Sequence, residues 1–349
     1  MKNLLILLFT LSLLSACASA EKSPATAPVT IRLMTHDSFD IGKATMQAFE
    51  EQNSIKVEIF KAGDGGAALN QAILAKDNPL ADVFYGVDNT FLSRALDNDI
   101  FTPYASPELA NIPANLKLDP QNRALPVDYG DVCLNYDKAW FENSPLQPPQ
   151  SLEDLADSAY AGLTVVENPA TSTPGLAFLL ASIGHFGEDG YLSYWKQLKA
   201  NQVSIADGWE DAYWGQFSAA SDGDRPIVVS YASSPPAEVY FADPPITESP
   251  TAAVISDGTC FRQIEFAGIL KGTKHAVEAQ KLVDFMLGQT FQEDIPLNMF
   301  VYPAKQNAAL PDVFKQHSQV PQKPVTLSPA DIAAKREAWI EAWTEVMLR

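Results

Sequence analysis

Apolar and polar residues alternate over residues 29–35, which predicts a strand with one buried face. Ala44, Ala48 and Phe49 have helical spacing within 41–52, and 56–60 reads as a second strand. Gly63-Asp64-Gly65-Gly66 is a turn feeding a helix over 67–76, and 81–85 is a third, buried strand. The second half uses the same grammar without repeating the sequence. A strand over 163–166 leads through a loop at 168–173 to Pro174, placed as the first residue of a helix. Helices are predicted over 190–200 and 209–219, strands over 226–231 and 259–266, and a further helix over 276–287. Ser328-x-x-Asp331 resembles a capping box opening a last helix, with Ile332, Trp339, Ile340 and Trp343 on its apolar side. Strands alternating with helices predict an α/β protein with a largely parallel sheet. Its expected form is two lobes joined by extended strands, with ligands gathering in the cleft between them.

The start of the chain follows a different pattern. Lys2 precedes an almost unbroken apolar run from Leu4 to Leu14, which reads as an export signal too short to remain as a spanning helix. The run closes on Leu14-Ser15-Ala16-Cys17, which resembles a bacterial lipobox whose cysteine becomes the lipidated first residue. Ala18 and Ala20 also suit an ordinary signal cut. The expectation is a signal over 1–16 and a flexible tether over 17–28, rich in Ala, Ser, Pro and Thr. A lipid anchor at Cys17 would hold the mature protein to a membrane outside the cytoplasm. That setting excludes most nucleotide-driven chemistry and favours capture or processing of an extracellular compound.

Composition narrows the field further. A chain of 349 residues suits two lobes better than one core, and 46% hydrophobic with 19% charged residues is ordinary for a globular protein. The net charge of -19 argues against nucleic acid or an anionic lipid face and is compatible with a cationic ligand. With Cys17 set aside, Cys133 and Cys260 form an even pair, and an oxidising compartment makes their disulfide the default.

Several loops carry candidate chemistry, each with a plainer structural reading. Thr35-His36-Asp37-Ser38-Phe39 puts a carboxylate beside aromatic rings, suited to an organic cation, although Asp37 and Ser38 also suit helix caps. Thr171-Ser172-Thr173-Pro174-Gly175 offers hydroxyls and free N–H groups at a helix start, the features of a plain cap as well. Gly208-Trp209, Tyr231-Ala232-Ser233-Ser234 and Met299-Phe300 place aromatics where they serve either a core or a ligand platform. The four histidines lack metal spacing, and no G-x-S-x-G elbow occurs, so no metal, cofactor or catalytic residue is assigned.

Taken in order, these segments resemble the thiamine-binding proteins of bacterial thiamine ABC importers, within the two-lobed type II solute-binding class. Asp64-Gly65, Gly86-Val87-Asp88-Asn89, Ser230-Tyr231 with Ser234-Pro235, Arg336 and Ala338-Trp339-Ile340 complete the match, which runs from Val29 to the last helix. The resemblance implies ligand contacts from Asp64, Gly65, Ser172, Thr173, Trp209, Tyr231, Ala232, Ser233 and Ser234. It implies that His36, Asp37 and Phe300 line the same cleft. The implied lobes are 29–128 with 261–302, and 129–260 with 303–349. The implied ligand is thiamine or its phosphates, delivered by a monomer to a membrane permease without chemistry.

His36, Phe300, Ala170 and Ala237 stand where the family carries tyrosine, tryptophan, arginine and tyrosine. A smaller aromatic box and a lost positive charge leave a pyrimidine precursor or a polyamine as alternative ligands. The rival from another class is a thiaminase I-like enzyme, which would need Cys133 as a free thiol. Iron sites of this fold class use paired tyrosines, and the chain contains no adjacent Tyr-Tyr.

Overall fold

The alternating segment at Val29–Thr35 forms strand β1, with Ile31, Leu33 and Met34 fully buried, in a computed structural model that describes residues 28–349. The export signal and Cys17 lie outside the described residues. Helix α1 (Lys43–Asn53) buries Met46 and Phe49 and ends at Ser54, whose φ of 54° turns the chain into β2 (Ile55–Lys61). Helix α2 (Gly65–Leu74), β3 (Val83–Asp88), α3 (Leu92–Asp97) and the short β4 (Phe101–Thr102) complete the first run.

The chain then crosses on β5 (Leu125–Asp137), whose residues are almost all buried. Helix α4 (Lys138–Glu142), β6 (Thr164–Glu167), α5 (Thr173–Phe186), α6 (Tyr191–Ala200) and β7 (Ser204–Ala206) follow. Next come β8 (Ile227–Tyr231), α7 (Pro235–Tyr240) and β9 (Thr251–Val254). The return is β10 (Phe261–Leu270), followed by α8 (Ala276–Met286), α9 (Gln289–Asn298), β11 (Tyr302–Pro303), α10 (Asp312–His317) and α11 (Pro329–Met347).

All strands belong to one sheet with the order β2-β1-β3-β10-β5-β8-β6-β7. The expected parallel pairing is found at both ends, in β2-β1-β3 and in β8-β6-β7. Between them β10 and β5 run antiparallel to each other and to their outer neighbours, because the chain returns along the path by which it crossed. The two ends are therefore joined by continuous backbone hydrogen bonding rather than by loops.

Two caps were legible and are formed. Ser172 accepts from Gly175 N at 3.3 Å to open α5, and Ser328 accepts from Asp331 N at 3.0 Å to open α11. Helix α11 buries Ile332, Arg336, Trp339 and Trp343 on one stripe. Trp343 packs edge-on against Trp195 of α6 at 5.5 Å. Arg336 reaches the other end of the sheet, donating to Thr90 O and Ser93 Oγ beside Phe91.

The helix expected over 209–219 is corrected to a π-helical turn, Asp211–Gln216, in which Phe217 N donates to Ala212 O. The turn packs Tyr213 and Phe217 in a small core with Val165 and Val228. Among the described residues no helix is long and apolar enough to cross a membrane.

Candidate functional site

A cavity of about 260 Å³ lies where the loops after β1, β2 and β8 meet the starts of α2 and α5. One wall comes from His36, Ser38 and Asp40 with Lys61 and Asp64; the opposite wall comes from Thr173, Trp209, Glu210, Tyr213 and Trp214. Tyr231, Ser234, Phe241, Glu265, Met299 and Phe300 close the remaining sides.

Asp64 ties these walls together. It caps α2, and its carboxylate accepts the backbone N–H of Gly65 at 2.6 Å, of Thr173 at 2.9 Å and of Trp209 at 3.0 Å. Ala67 N also donates to Thr171 O at 3.0 Å, so α2 sits directly against the loop that opens α5. The two glycines make this approach possible: a Cβ on Gly65 would meet Thr173 Cγ2 at 2.6 Å, and one on Gly66 would meet Thr171 O at 2.8 Å. Burial outweighs the three donors and raises the Asp64 carboxyl to about 6, with the charge of Asp37 adding to the rise. Behind it Glu167 is buried with both carboxylate oxygens unpartnered, and burial, reinforced by Asp64, pushes its carboxyl well up.

The aromatic wall is equally fixed. The Trp209 indole donates to Ser230 Oγ at 2.9 Å and stacks on Tyr213 at 4.8 Å with 20° between planes. The Tyr231 hydroxyl donates to Gln263 Oε1 at 2.5 Å, and its ring lies over Gly130, where a Cβ would meet Tyr231 Cδ1 at 2.8 Å. His36 lies 5.5 Å from the Tyr85 ring, and burial, with Lys61 nearby, lowers it to about 4. It is therefore neutral near pH 7 and adds no positive charge to the cavity.

Of the residues expected in the site, His36, Asp64, Thr173, Trp209, Tyr231, Ser234 and Phe300 line the cavity. The remainder are not part of its lining. Ser172 is fully buried as the cap of α5, Gly65 is the packing point described above, and Ala232 packs against the cysteines. Ser233 is buried with an unpartnered hydroxyl, and Asp37 is fixed through its N–H to Gly63 O. Sequence reasoning missed Tyr213, Trp214, Phe241 and Glu265. Glu265 had a signal, since it is the acid within the otherwise largely apolar run Ile264-Glu265-Phe266-Ala267.

Cys133 and Cys260 form the expected disulfide, with Cα atoms 4.4 Å apart and a sequence separation of 127. It joins β5 to the residue before β10, and both cysteines are fully buried away from the cavity.

Comparison with known proteins agrees with this architecture. Residues 78–321 match the family model described as bacterial extracellular solute-binding protein. The thiamine-binding periplasmic protein of Salmonella typhimurium is 31% identical over 97% of this chain and 98% of its own length. That of Escherichia coli is 31% identical over 94% and 96% respectively. The solved structure of a periplasmic thiamin binding protein superposes with a TM-score of 0.79 at 29% identity, covering 92% of this chain and 96% of that one. With a type II fold, a cavity set at the junction of its two parallel ends and a family match over most of its length, the chain belongs to the bacterial extracellular solute-binding proteins.

Proposed function

We propose that this protein captures thiamine outside the cytoplasm and presents it to the permease of an ABC importer. The observation that carries this reading is the cavity itself, where stacked aromatic faces at Trp209 and Tyr213 and at Tyr231 sit among Asp40, Asp64, Glu210 and Glu265. Thiamine combines a permanently cationic ring with a flat aminopyrimidine, the ligand such a surface favours. Full-length relatives whose names state thiamine binding support the same reading.

The two lobes are taken as 29–128 with 261–302 and 129–260 with 303–349, a partition that cuts the chain within β5 and at the start of β10. Ligand bridging both walls would stabilise the closed form by its differential affinity. The protein would act as a monomer held at the outer face of the cell membrane through Cys17. No catalysis is assigned. A thiaminase-like reaction would need a free thiol at Cys133, and the disulfide to Cys260 supports binding instead.

The test is mass spectrometry of protein purified without added ligand, followed by calorimetric titration with thiamine and its phosphates. One thiamine per chain is expected. A different bound cation, or no heat with thiamine, overturns the reading.

A further inference from the structure

Strand β10 lies between β3 and β5, and the register sets Glu265 opposite Asp88 on one side and Asp128 on the other. Directly opposed residues of antiparallel strands share a face, and like charges placed there are destabilising. Three carboxyl side chains therefore form a row across three strands, with exposures of 0% for Asp88, 5% for Glu265 and 0% for Asp128. Burial and the neighbouring carboxyls push Glu265 well above the ordinary carboxylate range, so the row is relieved by retained protons and would ionise only against a counter-charge.

Among the described residues no cationic side chain pairs with the row. Asp88 is satisfied by neutral donors, Thr90 Oγ1 at 2.6 Å and Gln263 Nε2 at 2.8 Å. Asp128 and Glu265 share the single hydroxyl of Tyr85, at 2.5 and 3.2 Å, and Asp128 Oδ1 has no partner. His36 Nε2 lies 3.6 Å from Glu265 but is kept neutral by burial. Arg262, next door on β10, is spent on Asp131 at 2.6 Å. Lys61 stands exposed on the cavity rim.

Glu265 is the member of the row that lines the cavity. Asp64, the obvious acidic candidate, already accepts three backbone N–H groups. Glu265 accepts one long hydroxyl bond from Tyr85 and otherwise meets the carboxyl of Asp128, a contact that a retained proton makes and a cation would replace. Resting on the thiamine reading, we propose that Glu265 is the specificity-determining residue that receives the positive charge of a flat organic cation. Among the described residues no group of three or more His, Cys, Asp or Glu is arranged to hold a metal ion, which favours an organic cation as the missing partner.

Calorimetric titration of thiamine into the wild type, Glu265→Gln and Glu265→Asp, at pH 6 and pH 8, tests this. Glutamine keeps the volume and an acceptor for Tyr85 while removing the charge. Glu265→Gln is expected to bind at least about tenfold more weakly at pH 8, with Glu265→Asp between it and the wild type. The groups facing Glu265 within the sheet are Asp88, Asp128, Tyr85, His36 and Tyr231. Around the cavity they are Asp40, Asp64, Glu210 and Lys61. A cation drawn to this cluster favours its ionised form, so wild-type affinity should rise from pH 6 to pH 8, and Glu265→Gln should lose most of that rise. Wild-type titration in two buffers of different ionisation heat needs no variant and should report proton release on binding. Affinity of Glu265→Gln within twofold of the wild type at both pH values overturns the inference alone, as does binding without proton release. A wild type that takes no thiamine overturns the thiamine reading and this one together.

Discussion

The carboxylate of Asp64 and the backbone N–H of Trp209 are joined at 3.0 Å across 145 residues of sequence. Because the same carboxylate holds Thr173 N at 2.9 Å, one side chain from the β2-β1-β3 end fixes two helix starts that belong to the β8-β6-β7 end. Asp64 is thus a fastening between the halves of the cavity as well as a charge within it.

Asp64→Asn should therefore do more than remove a charge. An amide offers one acceptor oxygen where three N–H groups now converge, and its own N–H₂ would oppose one of them. A loss of about 1–3 kcal/mol is expected in thermal unfolding, accompanied by weaker thiamine binding. Unchanged melting with unchanged affinity would remove Asp64 from both roles.

Trp209→Ala should weaken thiamine binding by about 1–3 kcal/mol through lost stacking and apolar contact. Trp209 also carries the fluorescence expected to respond to ligand, so quenching on titration should fall with it. Equal affinity in this variant would show that the stacked Trp209–Tyr213 pair serves the local core alone.

Stability and affinity should respond to pH in opposite directions. Burial raises Asp64 and Asp88 from 3.8 to about 6, and Asp128 from 3.8 to about 7. The folded chain thus holds protons that the unfolded chain has released. This contribution is complete below about pH 4 and is lost as pH rises through 6 to 7. The ligand-free protein should melt at a lower temperature at pH 8 than at pH 5, whereas thiamine should bind more tightly at pH 8. Differential scanning fluorimetry across this range, with and without thiamine, checks both signs, and parallel trends would contradict the account.

Reduction of Cys133–Cys260 should lower the melting temperature and leave thiamine stoichiometry at one. A closed loop of 127 residues corresponds to about 5 kcal/mol from restricting the unfolded chain. Reduced protein that stays folded but no longer binds would reopen the catalytic-cysteine rival.

The outer strands were legible because their signals are local. Alternation marked β1, the Ser172 and Ser328 caps marked α5 and α11, and cysteine arithmetic gave the disulfide. The aromatics of the site were legible as residues but not as neighbours. Trp209 and Tyr213 are four residues apart, a spacing that a helix pairs, but what they face is fixed by the bonds of Trp209 to Asp64 and Ser230, which are distant in sequence. Glu265 was hidden for a different reason. Its meaning depends on standing opposite Asp88 and Asp128, and that register exists only once β10 has been inserted between β3 and β5. The glycine pair at 65–66 read as a flexible turn, and the structure gives it the opposite use, as the rigid contact of α2 with the Thr171–Thr173 loop.

The disulfide also decides what a protease can accomplish. Every residue from 134 to 259 lies inside the ring it closes, including the continuously exposed stretch 243–248. A cut in that stretch would yield two fragments, one carrying Cys133 and the other Cys260, still joined covalently at the crossing of β5 and β10. A nicked molecule would remain a single covalent molecule, visible as two bands only after reduction, with its crossing strands still paired beneath the cavity.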